Sequence, residues 1–293
     1  RDWSSDVCSS DLGIQSSGNK IQQNTIAGVY NGINIGEDVI LRWSGAVYSG
    51  NVITANRIGT NPQGTSATGY GNLSDGIFLG AGAQKNRIGP DNVLSGNASS
   101  GVEMLHSSNT GNAVFGNRIG TDASGQTAIG NGELGILVAN GANGNTIGVL
   151  GGGNVIAGNK LGGIALGTGA FPGARANLVQ YNVIGINAAR TAAIGTQNVG
   201  ISLESQATLN SITDNEIAGH ASHGVIMANT TGNVVSRNNI GRTGAGRAIA
   251  NKGFGMVLLS GANSNTCSGN LFGTNLLGRT WSDPKNVGNK IDG

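Results

Sequence analysis

The sequence is poor in proline, aromatics and charge: 4 Pro, 4% aromatic and 11% charged residues in 293. Few prolines, with no glycine period of three, exclude a collagen-like chain. The thin charge, formally +2, forms no basic stripe, so neither nucleic acid nor a membrane surface is an expected partner. No apolar run approaches the ~20 residues of a membrane-spanning helix, so no direct membrane insertion is expected. Cysteine is nearly absent too, with only Cys8 and Cys267.

Cys8 lies in "RDWSSDVCSSDL", residues 1–12, which reads as the translation of a sequencing-library adapter and shares nothing with the rest. Such a segment is set aside from fold reasoning. Arg1, Asp2, Asp6 and Asp11 go with it, leaving 16 basic against 12 acidic residues. Cys267, expected in a core strand, then has no partner for an intramolecular disulfide and says nothing about compartment. The abrupt start at residue 13, with no signal peptide, suggests a fragment of a longer chain.

Glycine is abundant: 53 residues, more than twice the ~7% of ordinary domains. Because Gly loses the most backbone entropy on folding, such use implies many sharp turns. Ile, Val and Leu are plentiful as well, which argues against disorder.

These residues are arranged as a repeat. A Gly followed by alternating apolar residues begins "GIFL" at Gly76, "GVEM" at Gly101, "GILV" at Gly135, "GIAL" at Gly163, "GISL" at Gly200, "GVIM" at Gly224 and "GMVL" at Gly255. The spacings alternate, 25, 34, 28, 37, 24 and 31 residues. An earlier "GINI" at Gly32 precedes a longer excursion through Trp43. Each unit also carries N-x-[I/V/L], often doubled with the two Asn five apart, as in "NVITANRI" from Asn51 and "NSITDNEI" from Asn210. Period-two alternation bounded by Gly and Asn predicts short strands, and no helical period is sustained.

No unit is apolar enough to close a core alone, but stacked units bury one continuous interior. The expected fold is therefore all-β, a right-handed parallel β-helix of about eight or more coils, since parallel crossovers are right-handed in ~98% of cases. Residues 13–293 form a single such domain, in modules of about 13–75, 76–134, 135–199, 200–254 and 255–293. Equivalent Asn side chains should stack at the bends and hydrogen-bond up the column. "NRIGT", at 56–60 and again at 117–121, is read as a strand end plus turn recurring every second coil. The excursions after it, from Thr60, Thr121, Ile186 and Arg242, should align as a ridge.

The combination of "GNRIGTDASGQTAIGNGELGILVANGANGNTIG" with "GNVIAGN" resembles the bacterial right-handed parallel β-helix proteins of the pectate-lyase-like superfamily. The resemblance implies an extracellular or cell-surface location and a partner among extracellular polysaccharides or surface glycans. It leaves reaction open, because the superfamily holds lyases, hydrolases, epimerases, adhesins and tailspikes. Its lyases generally cluster Asp or Glu around calcium beside an Arg or Lys base. Here Asp75, Asp91, Glu103, Asp122, Glu133 and Glu204 occupy different repeat positions, so no column of three acids is expected; no cofactor is assigned, calcium included.

Two groups of residues are candidates. Asp214, Glu216, His220 and His223 in "DNEIAGHASH" are the compact titratable set, with the residue types for metal binding or proton transfer. Repeat alignment instead puts His220 where Asn97 and Asn159 stand, a polar bend position. Arg57, Arg87 and Arg118 share the outward slot of "N-R-I-G" and suit bidentate contact with uronate or sulfate, although Val183 and Asn239 interrupt the series. The expected function is a non-catalytic structural or adhesive segment of a larger exported bacterial surface protein, in contact with polysaccharide. The alternative is a polysaccharide lyase, epimerase or glycoside hydrolase of the same fold, and a column of acids on one face would favour it.

Overall fold

The computed structural model describes residues 12–37, 44–169, 171–273 and 290–292. Cys8 and Trp43 lie outside them. Among the described residues there is no helix, and three long parallel sheets of 9, 10 and 9 strands wind into a right-handed β-helix. At ~4.8 Å per strand, nine strands make a rod about 40 Å long.

Each coil visits the sheets in the same order. Sheet A takes the strands that follow the repeat Gly, such as Ile77–Leu79, Val102–Leu105 and Leu134–Ala139. Sheet B takes Val52–Thr54, Arg87–Ile88 and Ala113–Val114, and sheet C takes Arg57–Ile58, Val93–Leu94 and Arg118–Ile119. Strand registers are in step, so Ile58, Leu94, Ile119 and Ile156 stack in one inward column. These side chains belong to a single apolar core running the length of the rod. Cys267 is part of it, within Thr266–Ser268.

Polar ladders hold the corners. Before sheet B, Asn19, Asn51, Asn86, Asn112 and their successors to Asn265 each donate a side-chain N–H to the next Asn Oδ1, at 2.9–3.1 Å. Before sheet C, a second ladder runs from Asn24 through Asn56, Asn92 and Asn117 to Asn270, at 2.8–3.1 Å. Past Asn19, whose amide donates to Ser16 Oγ, the ladder amides also satisfy backbone carbonyls, as Asn154 Nδ2 does with Val114 O at 2.9 Å. The B-to-C corner itself is one residue in the left-handed region, Ala55 or Asp214 for example, at φ of 58° and 57°.

The long-coil excursions stack on one another and skip the short coils between. Ala123 N donates to Gly64 O and Ala188 N to Gly125 O, both at 2.8 Å. Each excursion returns over a short-coil glycine: a Cβ on Gly96, Gly158 or Gly219 would overlap Ala67, Ala128 or Ala193. That packing explains the alternation of long and short units, and "NRIGT" recurs because only the long coils need its turn.

Candidate functional site

The repeat glycines of sheet A sit where the next coil passes closest. A Cβ on Gly76 would lie 2.6 Å from Gly101 O and 2.9 Å from Asn97 Nδ2, so no side chain is tolerated. Side chains on either side of that bare position therefore meet across it. Asp75, just before Gly76, shares a hydrogen bond with Glu103, two residues beyond Gly101 on the next coil. Glu133, one coil further, adds its charge. The expectation that these acids are scattered is thus corrected: they differ in repeat position, but converge diagonally across the glycine column.

The environment of the pair is unusual. Asp75 is buried; its Oδ1 accepts Ser100 N–H at 2.9 Å, and its own N–H is held by Asn31 Oδ1 at 3.0 Å. Burial raises the Glu103 carboxyl to about 9, helped by the Asp75 charge and hydrogen bond and by Glu133. Burial also raises Asp75, opposed by the Ser100 N–H. With Asp75 buried and Glu103 half-buried against it, a second charge is disfavoured, so at neutral pH Glu103 holds a proton. Ser100 is fully buried beside them and its Oγ has no hydrogen-bond partner among the described residues; Asn34 Oδ1, two coils below Glu103 in its column, is likewise unpaired. The outward neighbours Phe78, Leu105 and Leu137 form an apolar cluster around Glu103. Among the described residues no three acids, His or Cys are disposed to hold a metal ion.

The four residues of "DNEIAGHASH" are not brought together. Asp214 is a corner residue, and Arg237, the corner residue of the next coil, bridges it at 2.8 Å and holds its carboxyl below the usual range. Glu216 points out from sheet C and pairs with Arg190 at 2.7 Å. His220 stands in a third ladder, Asn72, Asn97, Asn131, Asn159, Gln197, His220, Asn251. Its Nδ1–H donates to Asn251 Oδ1 at 2.8 Å and its Nε2 accepts from Gln197 Nε2 at 3.1 Å, a tautomer assigned by the two amides. Burial pulls this imidazole down to about 4, against the Asn251 hydrogen bond. His223 belongs to sheet A's outer edge, where it stacks on Phe254.

The arginines divide as well. Arg57 and Arg118 lie in sheet C, with Val93 between them, and their stems run under the turns at Gly64 and Gly125. Arg87 is in sheet B, over the Phe115 ring at 4.9 Å, so the shared slot of the three is corrected: "N-R-I-G" occurs in two different sheets. The short coil that starts at Gly76 places its Arg one strand earlier than the long coils do.

No family model matches the chain, and no curated protein matches it by sequence. Its fold is similar to that of the A-module of the Azotobacter vinelandii mannuronan C-5 epimerase AlgE4, at 11% identity and a TM-score of 0.53, over 98% of this chain and 79% of that one. Looser similarity extends to the Dettilon tailspike protein, at 16% identity, TM-score 0.47, and 98% and 60% coverage. It extends also to the pectate lyase Pel9A, at 14% identity, TM-score 0.37, and 95% and 70% coverage. The chain has a right-handed parallel β-helix fold.

Proposed function

We propose that the chain is a rigid polysaccharide-contacting segment of an exported surface protein, and that it meets its glycan on the outer face of sheet A. The observation that carries this reading is the hydrogen-bonded Asp75–Glu103 pair beside the unpaired, buried Ser100 Oγ. Of these groups the half-buried Glu103 is the one that reaches the surface, with a protonated carboxyl to offer as a donor; the buried Asp75, Phe78 and Leu137 set its environment. A sugar ring has the complementary make-up, with hydroxyls at its rim. The fold shared with an epimerase of mannuronan supports a polysaccharide as the class of partner.

A second reading, an enzyme acting on that polysaccharide, is favoured by the same pair for a different reason. A carboxyl that keeps its proton to about 9 is a general acid at neutral pH, and its ionised neighbour is a base. One experiment separates the readings. The full chain is titrated calorimetrically against mannuronan, polygalacturonate and an uncharged β-glucan, and the mixtures are followed by proton NMR for cleavage or epimerisation. Glu103→Gln keeps the donor and should keep binding, whereas Glu103→Ala should lose it. Turnover by the parent that disappears in Glu103→Gln would establish the enzyme. Binding indifferent to both changes would overturn the site.

A further inference from the structure

The outer edge of sheet A carries a second feature four coils above Glu103. His223 and Phe254 occupy the position that Asp75 and Ser100 occupy lower down, the residue before the repeat Gly. Their rings stack, with centroids 5.6 Å apart and planes 6° from parallel. Phe254 is 58% exposed in a chain where 4% of residues are aromatic. The pair is built rather than incidental. Phe254 N–H donates to His223 Nδ1 at 2.9 Å, which orients the imidazole and leaves its proton on Nε2. The ring's close approach to Gly253, where a Cβ would stand 2.7 Å from Nδ1, keeps that contact tight. Ile226 and Val257, half-buried, are opposite each other on the two strands that follow these residues.

We infer that Phe254, with His223 stacked behind it, forms a distal subsite for the same polysaccharide chain, an exposed aromatic ring against which one pyranose packs. The inference rests on the glycan-binding reading of the Glu103 region. Four coils at ~4.8 Å separate the Glu103 and His223 strands by about 19 Å, and a glycan chain advances about 5 Å per sugar, so the subsites are some four residues apart on a chain laid along the rod. Between them the edge residues are Leu134 and Gly162, both buried, and the half-buried Val199, with exposed Glu133 and Lys160 beside them. Exposed aromatic faces gain from C–H contact with a ring.

Chain length gives the test. Binding of mannuronan and β-1,4-glucan oligomers, of three and of nine residues, is measured for the full-length parent, Phe254→Ala and Phe254→Trp, with thermal melts as the check on folding. A trimer is too short to bridge the subsites, so its affinity should follow Glu103 and ignore position 254. A nonamer spans both; Phe254→Ala should weaken it roughly tenfold and Phe254→Trp should restore it. Equal effects of Phe254→Ala on trimer and nonamer, or none on the nonamer, would overturn the distal subsite and leave the Glu103 region standing. Failure of every oligomer to bind the parent would overturn both readings together.

Discussion

The two faces of sheet A follow different rules. Inward, Ile77, Val102, Ile136, Ile164, Ile201 and Val225 repeat one chemistry, all at 0–1% exposure. Outward, one residue along the same strands, stand Phe78, Glu103, Leu137, Ala165, Ser202 and Ile226, with no two alike. The inner face must match the coil above and below, because a gap in one layer is a gap in the core of three. The outer face is not held to one repeating chemistry: Phe78, Leu137 and Ala165 there are buried in a second apolar cluster, while Glu103, Ser202 and Ile226 stay partly exposed. Periodicity therefore marks the scaffold, and the candidate site lies among the departures from it.

The strongest way to test that contrast is to damage the periodic face. Ile119 is fully buried in the inward column of sheet C, and Ile119→Ala should cost about 2–5 kcal/mol in chemical denaturation. Leu161→Ala, at a residue 49% exposed, should cost under about 0.5 kcal/mol. Similar losses for the two would mean that the strand register, and hence the assignment of faces, is out by one residue.

The ladders extend the same logic to polar groups. Asn154 Oδ1 accepts from the backbone and side chain of Asn117, and its Nδ2 donates to Asn182 Oδ1 and Val114 O. Asn154→Ala strands several of these groups without water, so a loss of about 2–3 kcal/mol is expected, read by the same denaturation experiment. A loss below about 1 kcal/mol would show that water replaces the amide and that the ladder serves register more than stability.

The aperiodic face should announce itself through pH. Glu103 ionises near 4.5 when unfolded and at about 9 when folded, so between these values the folded state holds the extra proton. That contribution is complete below 4.5 and is lost as pH rises through about 9. Glu103→Gln, which keeps a donor toward Asp75 but cannot ionise, should flatten the decline in stability from pH 5 to pH 9. Parallel profiles for parent and variant would place Glu103 in water and remove the basis for a proton held there at neutral pH.

The same division decides what was legible in the sequence. Strand phase, Asn columns, excursions and the parallel coil all follow from residues that recur, and "GNRIGT" alone locates a strand end, a bend and a turn. Asp75, Glu103 and Glu133 escaped because they stand one before, two after and two before the repeat Gly, and alignment compares like with like. Contact depends on a side chain missing between them, at Gly76 and Gly101, which only the stacked geometry reveals. Arg87 misled for the opposite reason: its motif matched, but a short coil puts that motif on another sheet.

His220 tests the smallest effect, because it is an irregularity inside the periodic scaffold. Its coil is one of two where the third ladder departs from Asn; Gln197 is the other, and the link from Gln197 to Gly200 is one residue shorter than that from Asn159 to Gly163. The longer amide and the imidazole together span what two Asn span elsewhere, and both ring nitrogens are used. At pH 7 His220→Asn replaces one ladder member with another, so a change within about 1 kcal/mol is expected. Acid separates the forms. The neutral imidazole ionises near 6.5 unfolded and at about 4 folded, so its contribution is present above 6.5 and is lost as pH falls toward 4. Denaturation at pH 7 and at pH 4.5 should therefore show the variant gaining on the parent in acid. Added zinc or calcium should leave the difference untouched, since neither nitrogen is open to a metal. A variant that falls equally behind at both pH values, or a parent that zinc stabilises and the variant does not, would move His220 out of the ladder and into a site.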